Sequence, residues 1–422
     1  MKIQAHTGRY KWELIVLLWL AFFLNQADRQ IFNVVLSLIK KDLLFSDAQL
    51  GLIASALIWT YGLLVPLAGI AGDTINRKKI LVFSLLFWSS ATLFTGFSTV
   101  LWQFILIRGM ATGGGEAFYA PTANALISEY HQKTRAFAMS LHQTAVYAGI
   151  ILSGFLAGYI GEHYGWRSAF YLFGSCGVIL AGVMYLRLRN PGVKPLAEVV
   201  AEKKPSVWQV FPLFFRNPTA LLLSLAFAGM VFVNVGYLTW MPTFLVEKFN
   251  LPLSGAGFSS MFYHHVTALL GVLAGGWLAD RQGTQRPHLR LVFQAGGLLL
   301  GAPFIYWMGL ASAEWQVYAA LAGFGFFRGV YDSNIFASLY EVIAPAYRSS
   351  ATGLMLMFAF MTGAFAPYLL GVIKPGAGLS VGLSLLAVCY LFSSLCILIS
   401  LLFFFRRDRY RDPSVYFEEA KI

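Results

Sequence analysis

The sequence is poor in charged residues and lacks a nucleotide-binding motif. Only 12% of its 422 residues are charged, whereas 58% are hydrophobic. Soluble domains carry about 25% charged residues, so this composition excludes an ordinary soluble domain and favours a helical protein with many membrane spans. Because no GxxxxGK[ST] motif is present, ATP is not expected to supply energy. We predict no cofactor and no enzymatic activity.

Cysteine is also scarce. Cys176, Cys389 and Cys396 all lie in apolar stretches, which predicts buried, unreactive thiols without a disulfide framework. His264 and His265 are adjacent, but no other metal ligand stands at a suitable spacing. The sequence therefore predicts no metal site.

Basic residues predominate, yet their positions indicate a membrane protein and not one that binds nucleic acid. The net charge is +12, and most of the 31 Lys and Arg residues stand at the ends of apolar spans, on alternate loops. The positive-inside rule describes this asymmetry. It predicts that both termini lie in the cytoplasm.

Twelve apolar stretches are long enough to cross a bilayer as helices. They cover approximately residues 12–38, 47–71, 79–98, 101–128, 136–161, 166–188, 217–246, 254–279, 289–311, 315–341, 350–372 and 379–405. A polar, proline-containing segment interrupts them at the midpoint. We predict an all-α membrane protein with two six-helix bundles, 1–189 and 216–405, a cytoplasmic linker at 190–215 and a cytoplasmic tail at 406–422.

The two halves carry the same loop pattern. Gly69 and Asp73 follow the second span, and Gly276 and Asp280 follow the eighth, so both loops read G-x-x-x-D before basic residues, 207 positions apart. A second match after spans 4 and 10 has nearly the same offset. Two matches in register favour a duplicated six-helix unit.

With its twelve spans, central linker and G-x-x-x-D-x-x-x-R-K loop, the whole chain resembles the major facilitator superfamily. Gly165-Trp166-Arg167 also fits, and Asn76 stands where the family usually has Gly, although Asn too tolerates a left-handed turn. The resemblance implies that loop charges hold the cytoplasmic side closed in one state. The candidate gate residues are Asp73, Arg77, Asp280 and Arg281. Ordinary positive-inside charge is the alternative interpretation.

Four ionisable residues lie inside predicted spans of the first half: Asp28, Arg29, Arg108 and Glu116. Such residues are costly in a bilayer and usually face a cavity or a partner. Guanidinium binds carboxylate through a two-pronged fork, and a carboxyl in a medium of low dielectric constant is pushed toward its neutral form unless a cation opposes this. The alternative is that the four charges pair permanently and only join two helices.

Asn25-Gln26-Ala27-Asp28-Arg29 resembles the N-Y-x-D-R motif of the anion:cation symporter branch, which carries hexuronates, aldonates and sialic-acid-type anions. Gln26 replaces the usual tyrosine. The resemblance implies that Asp28 and Glu116 carry the coupled proton. It implies substrate contacts for Arg29, Tyr61, Arg108 and Gln143.

Further polar residues stand in spans where a substrate could reach them. His142 and Tyr147 accompany Gln143 in span 5, and His142 could also relay protons. In the second half the candidates are Asn234, Trp240, Arg328, Tyr331, Asp332 and Asn334. Interhelical hydrogen bonds, interface aromatics and an internal Arg328–Asp332 pair at i,i+4 are the structural alternatives.

Together these patterns predict a monomeric secondary transporter in a bacterial inner membrane. It would carry a small organic anion, such as a sugar acid, with protons by alternating access. Arg108-Gly109 and Gly115-Glu116-Ala117 also resemble the spinster-like branch, which moves lysolipids and sphingolipids, and a lipid carrier would need an apolar lateral opening beside span 5 or 8. A proton-driven exporter and a non-transporting sensor are further alternatives.

Overall fold

The computed structural model describes residues 7–131, 134–189, 207–283 and 286–410, and these residues are almost entirely helical. The first half holds α1 Thr7–Leu43, α2 Asp47–Thr74, α3 Arg77–Thr95, α4 in four consecutive segments (Leu101–Gln103, Phe104–Ala111, Thr112–Ala117 and Tyr119–Tyr130), α5 Arg135–Tyr164 and α6 Trp166–Arg187. The second half holds α7 Val207–Phe215, α8 Pro218–Phe249, α9 Leu253–Gly283, α10 His288–Leu310, α11 in two segments (Glu314–Asp332 and Ile335–Val342), α12 Arg348–Gly363 and α13 Phe365–Ile399. Most of the predicted linker and tail lies outside the described residues.

These helices account for the twelve predicted spans. Eight described stretches are long and apolar enough to cross a membrane, and one of them, Ser350–Asp408, has 59 residues and can cross twice. Gly378, with φ 78° and ψ 162°, breaks α13 between those two crossings. The three span helices outside this set are α4, α9 and α11, which are less apolar because polar residues lie in their middle.

Side-chain caps fix several helix starts. Ser46 Oγ accepts the N–H of Gln49, whose side chain in turn accepts the N–H of Ser46, so two free donors at the start of α2 are satisfied. Asn76 does not adopt the left-handed turn that its family position suggested: its φ is −56°, and its side chain accepts the N–H groups of Lys78 and Lys79. It is an N-cap of α3.

Helix α4 is irregular at both ends of its glycine-rich stretch. Residues Phe104–Ala111 form a π-helical segment, which displaces Arg108 from regular helical phase. Near Pro121 the helix is interrupted at Phe118, because proline lacks the N–H that would bond the carbonyl four residues earlier. The glycines serve close packing: a Cβ on Gly113 would lie 2.5 Å from the carbonyl oxygen of Leu57 in α2.

The two halves meet through small residues and charges on one side of the molecule. We call this the far side, opposite the side on which the α2–α3 turn and the end of α6 lie. A Cβ on Gly154 of α5 would approach the Gly257 carbonyl oxygen of α9 to 2.5 Å, and one on Gly51 of α2 would approach the Pro367 carbonyl oxygen to 2.3 Å. Such crossings leave no room for side chains, so the halves are in direct backbone contact there.

An ion-pair network adds to this closure. Lys374 Nζ lies 2.9 Å from Asp47 Oδ1 in the first half and 2.7 Å from Glu247 Oε1 in the second. Lys40 also pairs with Asp47, at 2.7 Å. The far side is thus closed by contacts that span both halves.

The cysteine prediction is partly wrong. Cys396 is buried and Cys389 half-buried, but Cys176 is exposed on the outer surface of α6. An outward-facing position on a membrane helix is apolar without being buried in protein, which explains why composition alone misplaced it. All three thiols are free.

Candidate functional site

A cavity of about 450 Å³ lies between the two halves. Its polar wall residues come from α1, α4, α5, α8, α9 and α11: Gln26, Arg29, Gln30, Asn33, Arg108, Gln143, Tyr147, Asn234, Thr239, His265, Arg328 and Asp332. Much of the remaining wall is apolar, with Phe227, Met230, Val231, Leu356 and Phe360 on the second-half side. The cavity therefore presents charged and hydrogen-bonding groups beside a large apolar surface.

Two of the first-half charges form a direct ion pair beside the cavity. Arg29 Nε donates to Glu116 Oε2 at 2.6 Å, and its guanidinium carbon lies 4.2 Å from the centre of the Tyr61 ring. Glu116 is fully buried, and its second carboxyl oxygen, Oε1, accepts no hydrogen bond from the described residues. Arg29 lines the cavity, whereas Glu116 and Tyr61 support it from behind.

Arg108 is held by backbone carbonyls. Its Nη2 donates to the backbone oxygens of Asp28, at 2.8 Å, and Arg29, at 3.2 Å. Its Nε and Nη1 donate no hydrogen bond within the described part of the chain, although the side chain is 3% exposed and lines the cavity. A guanidinium fixed on one edge and unused on the others is suited to an anionic ligand.

Asp28 lies on a different face of α1 from Arg29. It is 1% exposed, and neither carboxyl oxygen has a hydrogen-bond partner in the described residues. Trp88 and Thr92 of α3 are near enough to interact with it. Asp28 is thus buried behind the cavity wall, between α1 and α3.

The second-half cluster centres on Arg328 of α11. Its Nη1 donates to Asn234 Oδ1 at 2.6 Å and lies 2.9 Å from His264 Nε2. Its Nε lies 3.2 Å from Asp332 Oδ2, one turn away on the same helix. The internal pair and the cavity-lining role, which the sequence left as alternatives, are both present.

Five of the residues predicted to contact the substrate do not line the cavity: Tyr61, which packs behind Arg29, and four others. His142 is stacked on Phe22 and hydrogen-bonded to Tyr119, and Trp240 donates to the Pro367 carbonyl. Tyr331 is fully buried beside α10, and the Asn334 side chain bonds within its own helix turn. Because these groups are engaged in packing, we propose no substrate contact for them.

Sequence reasoning missed five polar cavity residues: Gln26, Gln30, Asn33, Thr239 and His265. Gln26, Gln30 and Asn33 recur at intervals of three to four along α1, which is the signal of one helical face. The sequence analysis considered His265 only as a metal ligand and rejected that role. Its position one residue from His264 puts it on the cavity side, where its ring meets that of Tyr147 edge to face at 6.5 Å.

The predicted gate is described only in part. Arg77 Nη1 pairs with Glu129 at 2.6 Å within the first half, and Arg281 is exposed beside Trp277. The side chains of Asp73 and Asp280 lie outside what the structure describes. The gate function of these residues stays a prediction.

Comparisons with known proteins identify the family. The model described as Major Facilitator Superfamily matches residues 18–367, and the chain belongs to that family. It is a multi-pass membrane transporter with the twelve-helix fold that the sequence predicted.

The similar proteins have names that indicate more than one kind of transporter. Protein spinster homolog 1 of Xenopus tropicalis is 28% identical over 88% of this chain and 75% of its own length. The hexuronate transporter of Bacillus subtilis (strain 168) is 26% identical over 89% of this chain and 91% of its own. A bacterial homologue of the human lysosomal transporter spinster, solved in an inward-facing, occupied conformation, has a TM-score of 0.82 at 20% identity, over 96% of this chain and 99% of that one.

One pattern that would suggest an enzyme has an ordinary structural role. Residues 378–382, GLSVG, match G-x-S-x-G, but they lie at the break in α13 and not at a strand-to-helix turn. Ser380 Oγ accepts a hydrogen bond from Lys248 Nζ at 3.1 Å. The serine thus links the end of α8, through Lys248, to the break in α13.

Proposed function

We propose that this transporter carries a small organic anion together with a proton. The observation that carries the proposal is Arg108, whose Nε and Nη1 are unused by the described residues while its side chain lines the cavity. A guanidinium stays charged, and its parallel N–H groups match a carboxylate or phosphate edge. Arg29 Nη2, also without a described partner, would provide a second donor to the same group.

The proton would be carried by Glu116 and Asp28. Glu116 already shares the Arg29 guanidinium, so an anion that binds Arg29 competes with it for the same cation. Protonation of Glu116 would release Arg29 to the substrate, which couples the two ligands through one side chain. Asp28, buried without a cation in hydrogen-bond contact among the described residues, is the second candidate.

A sugar acid fits the polar wall. Hydroxyl groups need both donors and acceptors, and Gln143, Asn234 and Asp332 offer both around the guanidinium groups. The printed name of the hexuronate transporter agrees with this substrate class. Alternating access would then rock the two halves about the cavity, with both termini in the cytoplasm.

The test is uptake into proteoliposomes of labelled glucuronate, gluconate and sialic acid, with and without an inward proton gradient. Wild type should accumulate at least one of them only with the gradient, and Glu116→Gln should lose accumulation but keep exchange. Glu162→Gln is the matched control, because Glu162 is an exposed carboxylate of α5 away from the cavity. Gradient-independent uptake in wild type would refute proton coupling.

An amphiphilic anion is the second candidate, because much of the second-half wall is apolar and several relatives are spinster proteins. Against it, α5 and α9 are in backbone contact on the far side, at Gly154–Gly257 and at Gly158–Leu253, so these described residues leave no lateral opening there. A lysolipid arm of the same experiment separates the two. Lysolipid movement without uptake of any sugar acid would replace the first proposal.

A further inference from the structure

The Arg328 guanidinium is held by an unusual partner for a cation. Nη1 of Arg328 carries only hydrogens to donate, yet it lies 2.9 Å from His264 Nε2. A contact this short is favourable only if the imidazole nitrogen accepts. His264 must then be neutral with its proton on Nδ1, and a proton on Nε2 would set two donors against each other.

The surroundings fix the His264 ring in that orientation. The residue is fully buried, and its ring centre lies 4.4 Å from that of Phe324 and 4.7 Å from that of Tyr237. Behind it, α9 and α11 are in backbone contact, since a Cβ on Gly325 would lie 2.1 Å from the His264 carbonyl oxygen. Two aromatic rings and a close backbone crossing thus surround the His264 side chain.

His264 does not line the cavity, unlike His265 next to it. Its Nδ1 forms no hydrogen bond within the described chain, so Arg328 is the polar group that the ring serves. Asn234 Oδ1 accepts from the same Nη1 at 2.6 Å. Two neutral acceptors thus hold one nitrogen and leave the rest of the guanidinium directed at Asp332 and the cavity.

We propose that His264 is a positioning residue, a neutral acceptor that fixes the Arg328 guanidinium in the cavity wall for substrate contact. It acts through Arg328 and does not touch the substrate. This inference rests on the proposed function for its transport readout, but its protonation pattern is testable without transport.

The direct test is nitrogen NMR of histidine-labelled protein in nanodiscs, with the His264 signals assigned by their loss in His264→Phe. Wild type should show the neutral form with the proton on Nδ1. Arg328→Ala should remove this preference, because nothing then requires Nε2 to accept. A wild-type ring with its proton on Nε2 would overturn the proposal, whether or not any anion is transported.

The transport test compares His264→Phe, which keeps the aromatic packing, with His264→Gln, whose amide oxygen can accept near the Nε2 position. With a transported anion such as glucuronate, His264→Phe should raise KM about fivefold at nearly unchanged kcat, and His264→Gln should restore most of it. In an Arg328→Lys background the two variants should no longer differ. If His264→Phe and His264→Gln have equal KM values with Arg328 intact, and equal thermal stability, then His264 contributes only to packing. Absence of uptake by wild type would count against the proposed function alone.

Discussion

The two halves place their charges in the cavity differently. In the first half, Arg29 and Arg108 face the cavity, while Asp28 and Glu116 lie behind the wall. In the second half, Arg328 and its carboxylate partner both line the cavity, one turn apart on α11. The Arg29–Glu116 pair of the first half therefore presents only its cation to the cavity, whereas both members of the Arg328–Asp332 pair of the second half line it.

This difference suggests different roles for the two halves in anion binding. Arg108 keeps two buried donors, Nε and Nη1, that have no described partner, whereas Arg328 is already bound by Asp332, Asn234 and His264. Carboxyls hidden behind Arg29 can change protonation without contacting the substrate. Under the proposed function, the first half would recognise the charge of the anion and couple it to the proton, and the second half would provide a hydrogen-bonding wall in which Arg328 is neutralised by Asp332.

The largest expected effect comes from exchanging arginine for lysine in each half. Arg108→Lys should raise KM roughly 100-fold, about 2.7 kcal/mol, because a lysine ammonium that holds two backbone carbonyls has one donor left and no paired edge for the anion. Arg328→Lys should raise KM only roughly tenfold. Initial rates of anion uptake against concentration give both values, and equal losses would abolish the distinction between the halves.

Neutralising the carboxylates tests coupling with the next largest effect. Asp28→Asn should eliminate the stimulation of uptake by an inward proton gradient, since an amide at this buried position cannot exchange a proton. Asp332→Asn should keep that stimulation and raise KM severalfold, because it removes only a partner of Arg328. Uptake would be measured with and without the gradient. Loss of coupling in Asp332→Asn instead would transfer the proton site to the second half.

Much of this arrangement can be predicted from the amino-acid sequence. Charges within apolar spans are costly, so Arg29, Arg108 and Arg328 are recognisable as cavity residues from their positions in the chain. The repeated loop pattern and the basic loops indicate the twelve-helix organisation.

The errors come from helix phase. Span helices are apolar on most faces, so periodicity does not tell which polar residue turns inward, and His142 and Trp240 are packed between helices although the sequence predicted them in the cavity. The π-helical segment of α4 shifts Arg108 around the helix relative to Glu116, and no local sequence pattern predicts such a segment. His265 was missed because the pair of histidines was weighed only as a metal site, and only the fold shows which of the two faces the cavity.

The proposed transport cycle requires the two halves to move as units about their far-side contact. Gly154→Val should reduce kcat about tenfold, because the new side chain would meet the Gly257 carbonyl and prevent the far side from closing. Gly182→Val on α6 is the control, since a Cβ there meets nothing within 4 Å. The measurement is the uptake rate at saturating anion. An unchanged kcat in Gly154→Val would mean that this crossing is not part of the cycle.

The smallest expected effect concerns the ion pairs that join the halves. Lys374 binds Asp47 across the interface, whereas Lys248 bonds Gly309 and Ser380 within the second half alone. Lys374→Met should weaken far-side closure by about 1 kcal/mol, a roughly fivefold change in the population of far-side-open protein. In a cysteine-free background with Asn33→Cys in the cavity wall, labelling by a membrane-impermeant maleimide from the far side should rise accordingly in Lys374→Met and stay unchanged in Lys248→Met. If both variants label alike, the ion pairs contribute little to an interface that the glycine crossings hold closed by themselves.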